Sequence, residues 1–218
     1  MNLRLYGFWR SIASFRVRVA LKLKGLPFEE IPVDILSGEQ FNPDYAAVNA
    51  ERVVPTLVHG EHRLFQSLAI IEYLDDIMPA PRLLPADPIE RAYARSLALV
   101  TIADAHPLVT PRVRNHLVEM FGADAPTVGT WATHWTIEGL ATYERLLERR
   151  PPAPFALGEQ VGLADISIAG QVVGAHFLKL DLAPFPAVRR LADLCFAMPA
   201  FATSHPFEQP GYKATTSR

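Results

Sequence analysis

Three short segments in the first third of this chain hold polar side chains just where a helix begins, and they set what chemistry is possible. The segment Gly7-Phe-Trp-Arg-Ser-Ile-Ala-Ser14 follows a strand-like stretch and leads into a helix. A helix N-terminus offers unpaired N–H groups and the positive end of the dipole, so it stabilises negative charge. A redox centre at such a point carries Cys-x-x-Cys. This chain has Ser11 and Ser14 there, and its single cysteine, Cys195, lies far downstream. Thiol–disulfide exchange by the protein itself is therefore excluded, whereas a serine hydroxyl can donate to a thiolate carried in by a ligand and lower that thiol's pKa. Plain helix capping is the competing role for both serines. In the second segment, Val53-Val54-Pro55-Thr56, an X-Pro bond leading into a strand is a candidate cis peptide that would expose the backbone of Val54 to an extended peptide. The third, Gln66-Ser67, stands at the start of a helix, a placement suited to holding a carboxylate, with serine capping again the alternative.

The elements that position these groups follow from periodicity and punctuation. Leu3-Arg-Leu-Tyr alternates as a strand, residues 14–24 read as a helix closed by Gly25, and residues 29–34 as a second strand, giving a βαβ opening. Residues 45–49 allow one helical turn, 56–59 and 62–65 are strands split by Gly60-Glu61, and 67–77 is a helix. The string βαβαββα over residues 1–80 predicts an α/β thioredoxin-like domain in which a parallel pair is extended by an antiparallel hairpin. Four prolines between Met78 and Pro88 mark a linker, placed at 81–86. Residues 87–218 read as an all-α helical bundle. Asp87-Pro88-Ile89-Glu90 supplies a cap, a first-turn proline and an N3 acid, so a long helix starts there and is predicted to run to about His106-Pro107. A further helix reaches toward Met120 and closes over Phe121 to Pro126. Val128, Trp131, Trp135, Tyr143 and Leu146 line one face of another, and Gly162, Asp165, Ile166, Ala169, Val173 and Phe177 outline a fourth. Beyond Pro206 periodicity ends, and a loose tail is expected from about 207. There is no internal repeat.

Composition narrows the function further. Half of the 218 residues are apolar, enough for a sizeable core. Twenty-one basic side chains face 23 acidic ones with no dense block, so no field draws nucleic acid or an anionic membrane. No apolar run reaches the roughly 18 to 20 residues of a membrane span, and the first residues lead into strand-like sequence instead of a signal peptide. The expectation is a soluble, cytoplasmic protein without nucleic-acid or membrane partners. Cys195 sits in Leu191-Ala-Asp-Leu-Cys-Phe, where a buried inert thiol is expected. The seven histidines form neither His-Glu-x-x-His nor a Cys/His cluster, and His59 and His62 flank a hairpin turn, so no metal site is expected. No glycine-rich loop joins a strand to a helix, which removes support for nucleotide binding. Trp131 and Trp135 read as packing residues before a ligand platform.

The run Arg10-Ser-Ile-Ala-Ser-Phe-Arg-Val-Arg-Val-Ala-Leu-Lys-Leu-Lys-Gly25, with Val54-Pro55, Gln66-Ser-Leu-Ala-Ile-Ile-Glu-Tyr-Leu74 and Pro81-Arg-Leu-Leu-Pro85, resembles the zeta class of glutathione transferases. That class includes the maleylacetoacetate and maleylpyruvate isomerases. The likeness continues through Phe121-Gly-Ala-Asp124, Ala164-Asp165, Asp181-Leu-Ala-Pro-Phe-Pro186, Phe201 and Gln209-Pro210. The resemblance implies a cytosolic glutathione transferase fold, glutathione as cofactor, and a homodimer. It implies that Val54, after which Pro55 follows, pairs with the cysteinyl backbone of glutathione, that Gln66 and Ser67 hold the γ-glutamyl carboxylate, and that Gln40 and His106 contact its remaining polar groups. Ser11 would face the sulfur, with Ser14 beside it in the same loop. Family isomerases add the glutathione thiolate to the cis double bond of an acidic substrate, allow rotation, and eliminate the thiol. Substrate and developing enolate are both anionic, so arginines near the sulfur are required; Arg10 and Arg112 match positions suited to this, surface solvation being the other role open to each.

The chain departs from the family in three places. Ser11-Ile12-Ala13 stands where zeta enzymes commonly carry Ser-Ser-Cys and bacterial maleylpyruvate isomerases Ser-Gly-Thr, so a second hydroxyl and a thiol are absent. Pro111-Arg112 and His176-Phe177 stand where those bacterial isomerases carry arginine pairs. Gly162 replaces a capping Thr or Ser, a change worth only a few tenths of a kcal/mol, roughly. Two functions follow as expectations: a glutathione-dependent isomerase or a transferase on small electrophilic acids, or else a glutathione-binding or ligand-carrying protein with weak or no catalysis.

Overall fold

The alternation of Leu3-Arg-Leu-Tyr becomes β1 (Leu3–Gly7), with Leu3 and Leu5 buried and Arg4 and Tyr6 half-buried between them. The computed structural model describes residues 2–212. From β1 the chain crosses through α1 (Ile12–Leu23) to β2 (Glu29–Pro32), which pairs in parallel with β1, Leu5 opposite Glu30. A crossover helix is what a parallel pair needs. Gly25, at φ +63, closes the turn after α1. A 3-10 turn, Glu39–Phe41, and α2 (Pro43–Val48) lead to β3 (Thr56–His59) and β4 (His62–Phe65), joined through Gly60 at φ +60. β3 pairs antiparallel with both β1 and β4, giving the sheet order β2-β1-β3-β4, and α3 (Ser67–Ile77) follows. This is the expected thioredoxin-like βαβαββα arrangement. Leu5, Leu57, Phe15, Val19, Ile70, Ile71 and Leu74 have no exposed surface and form its core, each such side chain contributing about 1.5 to 3 kcal/mol.

The helical domain is likewise as expected in kind. It consists of α4 (Pro88–Ile102), a 3-10 turn (His106–Val109), α5 (Pro111–Phe121), α6 (Ala125–Glu148), α7 (Leu163–Phe177) and α8 (Pro186–Ala197). Asp87 caps α4 by accepting from the N–H groups of Ile89 and Glu90 at 3.0 and 2.9 Å. α4 ends at Ile102, short of the expected 106–107, and Pro107 sits in the separate turn. α7 is buried over nearly its whole length and packs against α4, α6 and α8. Asp165 accepts from the N–H groups of Ala156 and Gly162, both at 2.8 Å. Trp131 donates its indole N–H to the Leu108 carbonyl at 2.8 Å and meets the Trp135 ring edge-on. Cys195 is buried, and burial pushes its thiol well above the ordinary range. Among the described residues no helix is long and apolar enough to cross a membrane.

The chain divides into two units, one of Met1–Leu83 with Met198–Arg218, the other of Leu84–Ala197. The sequence placed everything after residue 86 in the helical domain; the structure groups the last segment with the first unit instead. There α9 (Pro199–Ala202) sets the buried Phe201 ring 6.4 Å from Phe15 of α1, and Lys22 donates to the carbonyl and hydroxyl of Thr203 at 3.0 and 2.9 Å. Gln209 then donates to the carbonyls of Thr203 and His205, and the Tyr212 ring lies 5.7 Å from Trp9. The tail expected to be loose from about 207 is thus held by contacts as far as Tyr212, and its remainder, 213–218, lies outside the described residues. The expected linker is tied down at its start. Leu83 is buried and donates its N–H to Asp75 at 2.7 Å, while Lys24 pairs with the same carboxylate and donates to the Met78 carbonyl.

Candidate active site

The first helix start is built by a loop whose every turn is held from inside. Ser11 is the N-cap of α1, and its hydroxyl oxygen accepts from the Ser14 N–H at 3.1 Å. The Phe8 carbonyl accepts from the Ser11 N–H at 3.0 Å and from Arg18 Nη2 at 2.8 Å, while the Phe8 N–H donates to the buried Ser14 Oγ at 3.3 Å. Arg18 is only 1 % exposed and its Nε pairs with Glu30 at 2.7 Å. Gly7 leaves room for this: a Cβ there would stand 3.0 Å from the Glu30 carboxylate and 3.3 Å from Ser14 Oγ. A hydroxyl has one donor and two acceptor positions. Ser11 uses acceptor capacity as a cap, which leaves its donor capacity open, so capping and donation to a ligand are compatible. Ser14 faces inward and shapes the loop. Ser11, Ile12 and Ala13 are half-buried and Arg10 is exposed, and the first N–H groups of α1 have no partner within the helix.

The second group surrounds the Val54–Pro55 bond, which is cis. Tyr45 Oη donates to the Val53 carbonyl at 2.6 Å, and Asn49 Nδ2 donates to that carbonyl and to Thr56 Oγ1, both at 3.0 Å. The residues on either side are therefore fixed, whereas Val54 itself takes part in no hydrogen bond among the described residues. Gln40 lies in the turn Glu39–Phe41, donating to the Ile35 carbonyl at 3.3 Å, and its Oε1 is buried without a partner.

The third group is the start of α3. Gln66 has φ +69, a conformation that costs a residue with a side chain about 1 to 3 kcal/mol and collects at functional sites. Its amide donates to both carboxylate oxygens of the exposed Glu51 at 3.0 Å. Ser67 is buried, and its Oγ accepts from Arg16 Nε at 3.1 Å. Arg16 is 2 % exposed; burial lowers its guanidinium to about 9, which leaves it a cation at neutral pH. His106 and Arg112 belong to the second unit, His106 half-buried in the turn His106–Val109 and Arg112 exposed in the first turn of α5. His176, in the last turn of α7, sets its ring 5.8 Å from Phe196, and burial lowers its pKa.

Comparison with known proteins places this arrangement. Residues 1–76 match the glutathione S-transferase N-terminal domain family. Maleylacetoacetate isomerase of Pseudomonas aeruginosa is 40% identical over 95% of this chain and 98% of its own length. The holo structure of a maleylpyruvate isomerase described as a zeta-class bacterial glutathione transferase superposes with a TM-score of 0.92 at 38% identity, over 95% of this chain and 98% of that one. The chain belongs to the zeta-class glutathione transferase family. The maleylacetoacetate isomerase structure from Methylobacterium extorquens, which contains malonate and glutathione, superposes with a TM-score of 0.93 at 40% identity over 95% and 98% of the two chains.

Within this zeta-class frame, sequence reasoning singled out Ser11, Gln66 and Ser67 and missed the groups behind them: Arg16, Arg18, Glu30 and Glu51. A signal for the first two existed. Phe15-Arg-Val-Arg-Val-Ala-Leu is apolar on every side of a helix, which marks a buried element, so its arginines had to enter the interior and find partners there. Nothing local foretells the backbone of Gln66.

Proposed function

We propose that this zeta-class protein is a glutathione-dependent cis–trans isomerase of maleylacetoacetate or maleylpyruvate type, or a transferase on small electrophilic acids, acting as a cytoplasmic homodimer. The residues present fit glutathione. The tripeptide brings an extended backbone, a carboxylate-bearing glutamyl arm and a thiol, and the first unit offers a backbone segment without internal partners at Val54, a helix start at Ser67 backed by a cation, and a helix start at Ser11. Gln40, with an unpartnered buried oxygen, and His106 serve its remaining polar groups. Bound glutathione supplies a thiolate that adds reversibly to the double bond of the substrate.

The observation that carries the reading is Ser11. Its oxygen accepts from the Ser14 N–H, which leaves the hydroxyl's donor capacity for an incoming sulfur, and the dipole of α1 adds to that stabilisation. Pro55 fixes the chain beside Val54, Ser14 fixes Phe8 and so the loop, and Arg10 and Arg112, both exposed cations, are assigned to the carboxylates of the substrate. The homodimer is supported by the apolar side chains of Phe65 and Ile89, 51% and 78% exposed, and is tested by sedimentation at micromolar concentration.

The reading predicts glutathione-dependent isomerisation of maleylacetoacetate or maleylpyruvate, followed by absorbance at saturating glutathione. Absence of turnover on both acids, together with absence of conjugation of a haloacid, overturns it. Ile12 and Ala13, which bring no polar side chain to the helix start, favour a second reading as a glutathione-binding protein with weak catalysis. The ultraviolet absorbance of the bound thiolate separates the two: a bound thiol no more acidic than free glutathione selects the second.

A further inference from the structure

Three buried cations belong to α1 and its C-cap, and their partners differ. Arg18 pairs with Glu30 and Lys24 with Asp75. Arg16, 2 % exposed, pairs with no carboxylate among the described residues; its Nε donates to Ser67 Oγ at 3.1 Å and its Nη1 is buried without a partner. An unpaired buried charge is costly, and it persists in proteins where something else completes it. The N-terminus of α3 adds positive potential at the same point. Glu51 is exposed and accepts from the Gln66 amide, and it forms no ion pair with Arg16 among the described residues. The uncompensated charge behind Ser67 is therefore that of Arg16. The Ser67 oxygen is occupied by the Arg16 donor, so its hydroxyl proton is left to donate, and the group it meets must be an acceptor.

We infer that Arg16 is a positioning residue which, through Ser67, makes the site select a free, ionised carboxylate on the glutamyl arm of glutathione. The inference rests on the glutathione reading above. Arg16 acts from behind: it polarises and orients the hydroxyl, and its charge is offset only when an anion arrives.

Calorimetric titration of the full-length protein with glutathione, and with an analogue whose glutamyl α-carboxylate is a carboxamide, tests this. The wild type is expected to prefer the carboxylate by about 10- to 100-fold, the range of a hydrogen bond to a charged group. That ratio should hold between about 50 and 500 mM salt, because a buried charge is little screened. In Arg16→Met the ratio should fall close to unity with affinity for the carboxamide nearly unchanged, and Arg16→Lys should recover part of it. Equal weakening of both ligands in Arg16→Met would reduce the residue to a structural role and overturn the inference, as would a ratio left intact. If Arg16→Met does not fold, Arg16→Lys and the salt series on the wild type still decide, a ratio that collapses with salt counting against a buried cation. A wild type that binds neither ligand overturns the glutathione reading itself, whereas one that binds both equally overturns only the role of Arg16.

Discussion

Replacing Ser11 separates two jobs that one hydroxyl performs. As N-cap it accepts from the Ser14 N–H at 3.1 Å, and losing such a cap to alanine costs about 1 kcal/mol, to glycine only a few tenths. As donor to a thiolate it makes a hydrogen bond to a charged group, worth about 1.5 to 3 kcal/mol. At 1.36 kcal/mol per unit, that corresponds to about 1 to 2 units of thiol pKa. Ser11→Gly should therefore unfold at nearly the wild-type denaturant concentration, Ser11→Ala at a lower one, and both should raise the pKa of bound glutathione equally. Where the thiolate fraction limits the rate, kcat/KM at neutral pH falls by roughly 10- to 150-fold in both variants. Thiolate absorbance against pH, with glutathione saturating, reads the pKa, and urea unfolding reads the cap. Stability that tracks the cap while the bound thiol keeps its wild-type pKa would refute the reasoning and leave the sulfur to the backbone N–H groups of α1.

Three further predictions concern the frame. Burial raises the Asp165 carboxyl from 3.8 to about 6 despite the N–H groups of Ala156 and Gly162 that hold its ionised form. The folded state thus binds this proton more tightly than the unfolded chain, so its contribution is full below about pH 4 and is lost as pH rises to about 6, by ~3 kcal/mol; urea midpoints that run parallel for wild type and Asp165→Asn across this window would contradict it. Glu144 of α6 accepts from the N–H groups of Ala187 and Val188, both at 2.8 Å, and Glu144→Ala should cost about 2 to 4 kcal/mol in equilibrium unfolding, with Glu144→Gln milder. A Cβ on Gly211 would fall 2.4 Å from Trp9 Cδ1, so Gly211→Ala should destabilise by about 1 to 3 kcal/mol and speed proteolysis after Pro206; unchanged cleavage would show that the segment shifts freely.

The parts of the fold that were legible carry their instructions locally. Asp87-Pro88-Glu90 announced α4 because cap and proline act within one turn, although Glu90 pairs with Arg150 at 3.0 Å instead of reaching back to the cap. α8 was not foreseen, since its first N–H groups are capped by Glu144, some 43 residues earlier, and Phe185-Pro186 offers no capping side chain of its own. The docking of Phe201 on Phe15 was invisible for the same reason: it is a contact across the whole chain, with no periodicity to reveal it. At the site, Ser11, Gln66 and Ser67 could be read as residues at helix starts, but for each serine both capping and ligand binding stood open. What the third dimension adds is the set of partners: Ser14 turns inward to the Phe8 N–H, and Ser67 accepts a hydrogen bond from Arg16.

The return of residues 198–212 to the first unit bears on how the molecule is made. Synthesis runs from the N-terminus, and domains generally fold as they emerge, yet the surface of α1 that receives Phe201 and Thr203 waits until residues 84–197 of the second unit have been made. The first unit thus emerges with one flank of α1 uncovered, and the helical bundle is translated in the interval. Gly211 and Tyr212 meet Trp9, the neighbour of Arg10 and Ser11 in the chain, so a change made in residues 206–212 is felt at the loop that opens α1.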